Sequence, residues 1–156
     1  MFESAVRLRE DALGLLDALR SLAGGRYAAI FEAKGVLLES PAGGDDALRR
    51  FVESHVQALL EIPAALHSGG ELADQFSDWE QEAFFLAFLN GKVGVVTVCD
   101  QPKQVEQESS PLLKVLFDRL LRLNPAWRID ERGRGLFAGR PRLDTIVIGR
   151  ADESTA

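Results

Sequence analysis

The sequence predicts a mixed α/β fold of the α+β kind, in which an antiparallel sheet is covered on both faces. Three observations predict it. Residues 82 to 100, EAFFLAFLNGKVGVVTVCD, read as a β-hairpin: Asn90-Gly91 tolerates the positive φ angles of a two-residue type I′ turn, which makes Leu89 and Lys92 its paired ends. The strands of that hairpin do not alternate apolar with polar residues. Ala83 to Leu89 are apolar throughout, and Val93, Val95, Val96 and Val98 answer them, so something must pack on each side of the sheet. The third observation is the helical segment from about Asp46 to Glu61. Its apolar residues spread over more than half the circumference, wider than one contact face requires, which predicts burial from two directions.

The remaining elements are taken in chain order. Residues 3 to 23 repeat Ala5, Val6, Leu8, Ala12, Leu13, Leu15, Leu16, Leu19 and Leu22 at helical spacing, and Gly24-Gly25 supplies a stop. Tyr27 to Phe31 and Val36 to Leu38 are strand-like runs joined by Glu32-Ala33-Lys34-Gly35, hence a hairpin. Ser40 to Gly44 is a loop, and Asp45 or Asp46 is placed to cap the second helix. Pro63 breaks or restarts that helix, Ser68-Gly69-Gly70 is a loop, and Leu72 to Trp79 is a weak strand. Beyond the central hairpin, Pro102 to Ser110 reads as a polar connection, with Ser109 or Ser110 capping a third helix from Pro111 to Leu123. A loop-rich tail ends in a strand from Leu143 to Ile148. This divides the chain into a domain over 1–127, an Arg-rich extension over 128–150 and a disordered tail over 151–156.

With 156 residues, 46% of them hydrophobic and 27% charged, the chain is long enough for one domain with a core of its own. A single cysteine, Cys99, excludes an internal disulfide framework and fits a reducing compartment. It reads as a small buried residue at the end of a valine-rich strand, because no basic neighbour in sequence activates it as a thiol. The start, MFESAVRLRED, lacks the basic and apolar regions of a signal peptide, and no apolar run reaches membrane-span length, so a cytoplasmic address is expected. A net charge of -6 argues against nucleic acid as a partner.

The search for chemistry finds no P-loop, GxSxG, HExxH or CxxC, and no catalytic, cofactor-binding or metal-ligating set emerges. His55 lies among apolar helix residues and reads as a satisfied core or interface histidine rather than a base; His67 reads as a helix-end residue. Two stretches invite a partner. Phe76 and Trp79 beside Asp74 and Asp78 are either strand packing or a binding hot spot. The segment ERGRGLFAGRPR offers Arg132, Arg134, Arg140 and Arg142 to an anion or an acidic surface, the plainer reading being a solvated basic loop.

In element order the chain resembles the Roadblock and dynein-light-chain family. The likeness is carried by RYAAIFEAKGVLLES at 26 to 40, the long helix near 46 to 61, and EAFFLAFLNGKVGVVTV at 82 to 98. The resemblance implies a profilin-like or longin-like domain: a five-stranded antiparallel sheet with two helices on one face and one long helix on the other. It also implies a non-enzymatic adaptor with no cofactor and a small Ras-like GTPase as partner class. The wide apolar arc of the second helix predicts a homodimer joined there, with Val52, His55, Val56 and Leu59 nearest the second chain. The competing expectation is a ligand-sensing module like the PAS and GAF families, which would need an internal pocket.

Overall fold

The computed structural model describes residues 5–22, 24–40, 44–61, 83–89, 92–128 and 144–148. The first helix, α1 (Ala5–Ser21), turns Leu8, Ala12, Leu16 and Leu19 inward, the i, i+4, i+8 and i+11 positions of one face. It ends where the sequence places its stop. Gly24 takes φ 64°, a left-handed conformation that costs glycine nothing, and the Gly25 N–H donates to the Arg20 carbonyl at 2.9 Å.

Strands β1 (Tyr27–Glu32) and β2 (Gly35–Ser40) form the first hairpin, with a register shift between Ile30 and Phe31. Helix α2 (Asp46–Leu60) is capped by Asp45, whose carboxylate accepts from the Leu48 N–H at 3.1 Å. Strands β3 (Phe84–Phe88) and β4 (Val93–Val98) are buried along their whole length. Two helices come next, α3 (Pro102–Glu108) and α4 (Ser110–Leu123), then a 3-10 turn at Pro125–Arg128 and strand β5 (Asp144–Ile148).

The strands lie in the order β2-β1-β4-β3-β5, and every pairing is antiparallel. Two separate apolar clusters account for the unbroken apolar strands. On one face Ala28, Ile30, Phe85, Ala87 and Val95 meet Ala12, Leu16 and Leu19 of α1 and Leu113, Leu116, Phe117 and Leu120 of α4. On the other, Tyr27, Ala29, Phe31, Phe84, Leu86, Phe88, Val96 and Val98 meet Val52, Val56, Leu59 and Leu60 of α2. Each fully buried large side chain contributes roughly 1.5–3 kcal/mol, so a strand buried on both sides draws stability from every residue. The expected mixed α/β fold with an antiparallel sheet is the observed one.

Several details differ from expectation. The second hairpin sets Phe88 opposite Gly94, and the Leu89 N–H donates to the Val93 carbonyl at 3.1 Å, so Leu89 faces Val93 rather than Lys92. The stretch read as a polar connection contains α3. Its buried residues are Pro102 and Val105, too few to produce a helical repeat in the sequence. Ser109 separates α3 from α4 in helical backbone conformation and makes no side-chain cap. The strand expected at the end of the Arg-rich extension is present, and it completes the main sheet, with Phe84 opposite Ile148 and Phe88 opposite Asp144. The weak strand read at Leu72 to Trp79 lies outside the described residues.

Candidate functional site

Helix α2 was expected to carry the site, and it faces elsewhere. Val52 and Leu59 have no exposed surface and Val56 retains 6%, all three packed on the chain's own sheet. Their side chains are therefore spent on the chain's own core, which leaves little of them to offer a second chain. The apparent width of the arc has a local cause: Leu48, Phe51 and His55 flank the buried stripe, half-buried, and Phe51 stacks on Phe84 with ring centroids 6.0 Å apart. His55 also packs on the Phe51 ring at 4.5 Å. Its Nδ1 donates to the Phe51 carbonyl at 2.7 Å, the local helix bond of a structurally satisfied histidine. The other partner candidates, Phe76, Trp79, Arg132, Arg134, Arg140 and Arg142, lie outside the described residues, as does His67.

A polar cluster ties α2 to the first hairpin. The buried Tyr27 hydroxyl donates to Glu39 at 2.7 Å, Arg49 reaches the other Glu39 oxygen at 2.6 Å, and Asp46 also pairs with Arg49. Burial, reinforced by the Glu39 hydrogen bond, pushes the Tyr27 phenol well above its ordinary value. On the opposite face Ser40 donates to Asp17 at 2.7 Å, and Arg20 reaches Asp17 at 2.7 Å and Ser40 at 3.1 Å. Hydrogen bonds from Arg20 and then Ser40 hold the Asp17 carboxyl below the usual range. Burial pushes the Cys99 thiol up to about 11, which leaves it unreactive at neutral pH. Each shift moves its group away from neutral pH, opposite to what a general acid or base needs. Among the described residues no three His, Cys, Asp or Glu side chains gather as metal ligands would, and no helix is long and apolar enough to cross a membrane.

What the surface does offer is a groove of about 600 Å³ along β2, lined by Arg9, Leu13, Gly14 and Asp17 of α1, by Val36 to Ser40, and by Arg49 of α2. Sequence reasoning missed it, because it depends on the gap between a helix and an edge strand rather than on a residue pattern. Its lining combines the apolar Leu13, Val36, Leu37 and Leu38 with the ion-paired Asp17, Glu39 and Arg49.

No protein-family model matches this chain, and no curated protein and no solved structure matches it.

Proposed function

We propose that this protein is a non-enzymatic cytoplasmic adaptor or regulator of the Roadblock kind, acting as a homodimer that engages a protein partner, with a small Ras-like GTPase as the partner class. One observation supports this reading above the others. Phe84, Phe85 and Phe88 are fully buried, so the middle of the sheet is filled by side chains where a ligand sensor would need a pocket. The binding capacity of such a domain lies on its outside. The antiparallel sheet covered on both faces also supports it, with α2 on one face and α1, α3 and α4 on the other, one helix more than the resemblance implies. The shifts at Asp17, Tyr27 and Cys99, all away from neutrality, favour a structural over a catalytic use of these groups.

The test combines light scattering on the purified chain with capture from native lysate charged with GDP or a non-hydrolysable GTP analogue. The expected result is a dimer that retains a Ras-like GTPase in one nucleotide state. A monomer that retains none would move the reading to the sensor class.

A further inference from the structure

We infer that the open edge of β2, with the flank of α1 above it, is where two copies of this chain join, β2 of one protomer continuing the sheet into β2 of the other. The inference rests on the homodimeric reading and assigns it a surface. β2 ends the strand order, so one side of its backbone has no partner strand among the described residues. An unpaired strand edge is a template for pairing with another chain.

The α1 flank beside this edge is complementary to itself. Val6, Arg9, Leu13, Asp17 and Arg20 recur at spacings of three and four and form one stripe, separate from the Leu8, Ala12, Leu16 and Leu19 stripe that faces the sheet. Arg9 stands four residues before Leu13 and Asp17 four after it. A twofold axis at Leu13 therefore sets each Arg9 against Asp17 of the second copy, and each Val6 against the aliphatic stem of Arg20. Val6 is 66% exposed, unusual for a residue of its type, and Arg9 enters none of the ion pairs formed among the described residues. Gly14 sits in the middle of the unbroken helix at a cost in stability, yet a methyl group added there would meet nothing within 4 Å. The space it leaves belongs to the groove.

The spacing of the layers agrees. α1 packs on both β1 and β2, which places it above the gap between them. With strands about 4.8 Å apart, an axis midway between two β2 strands separates the two α1 helices by about 10 Å. Packed helices lie about 8–10 Å apart. The centres also coincide: Arg9 to Asp17 rises about 12 Å, the length of about four strand residues. Asp17 is fixed to Ser40, so Arg9 runs beside Val36 and Leu13 beside Leu38. The Val36 N–H already meets the Glu53 carboxylate at 3.4 Å, and the twofold sets Val36 against Ser40 of the second copy, which confines the shared ladder to Leu37, Leu38 and Glu39.

The test uses the full chain. Wild type should be a dimer by light scattering, and Arg9→Asp should weaken self-association at least tenfold, by placing like charges opposite each other, with an unchanged urea midpoint of the monomer at dilutions where both proteins are dissociated. Gly14→Gln should weaken it as strongly while raising the urea midpoint of the monomer, a combination that a merely structural glycine would not give. Leu13→Cys should form a disulfide-linked dimer on mild oxidation, since Cys99 is buried and does not compete. A wild-type dimer that Arg9→Asp and Gly14→Gln leave intact, and that Leu13→Cys does not cross-link, overturns the edge assignment and leaves the homodimeric adaptor standing. A wild-type monomer overturns both.

Discussion

The two faces of the sheet reach the same degree of burial by different means. Toward α1 and α4, the strands present Ala28, Ile30, Ala87 and Val95, with Phe85 the one large ring among the strand residues there, and the helices supply Leu113, Leu116, Phe117 and Leu120. Toward α2, which is alone among the described helices on its face, the strands supply the bulk themselves: Tyr27, Phe31, Phe84 and Phe88. Phe31 and Phe88 meet edge to face with centroids 6.2 Å apart, and Gly94 makes the room, since a Cβ there would come within 2.7 Å of the Phe31 ring. The layer between a sheet and a helix must be filled to the density of a crystal. Where one helix does the covering, ring volume from the strands replaces the missing helix.

If that comparison holds, the most damaging change belongs to the one-helix face. Val56→Glu sets a carboxylate against Tyr27, Phe84 and their neighbours, where no second helix can rearrange to hydrate it. A loss of several kcal/mol is expected. Circular dichroism should show an unfolded chain; a folded monomer would mean that Val56 faces outward after all. Phe88→Ala comes next, at about 3–5 kcal/mol in urea, because the fully buried ring packs edge to face on Phe31 in the aromatic layer under α2. A cost below about 1 kcal/mol would show that α2 collapses onto the gap and that the faces are less different than described.

Tyr27 sharpens the comparison by adding a charge-linked contribution to the aromatic face. Tyr27→Phe should cost about 1–3 kcal/mol by stranding Glu39 without its phenol donor. The folded phenol keeps its proton above the ordinary value of 10.0. Its contribution is therefore complete below about pH 10 and is lost as pH climbs toward the folded value. An alkaline decline present in wild type and shallower in Tyr27→Phe is the expected urea-versus-pH result; parallel curves would assign the decline to other groups. The smallest effect belongs to the other face. Thr97 lies there fully buried with its hydroxyl oxygen lacking a protein partner, so Thr97→Val should stabilise by up to about 1 kcal/mol. Destabilisation would reveal a bound water at that oxygen.

Much of this fold is legible in the sequence because its signals are local. Gly24-Gly25, Asp45 and the two apolar strands of the second hairpin each state a structure within a few residues. The α3 helix is illegible for the opposite reason: with Pro102 and Val105 alone buried, its helicity is decided by docking rather than by pattern. The arc of α2 misleads because Leu48, Phe51 and His55 look like a second contact face when counted by angle. In three dimensions Phe51 leans back onto Phe84, so much of the extra width serves the same core. The β2 groove has no sequence signature at all. Only after α1 is laid over the edge strand does Arg9, four residues before Leu13, become the counterpart of Asp17, four residues after it.

The measurement that bears most directly on a homodimeric adaptor is the mass of the intact chain in solution, tracked by light scattering as concentration rises. Convergence on twice the 17.1 kDa of the single chain is the expected result. A mass that stays at 17.1 kDa throughout would contradict it.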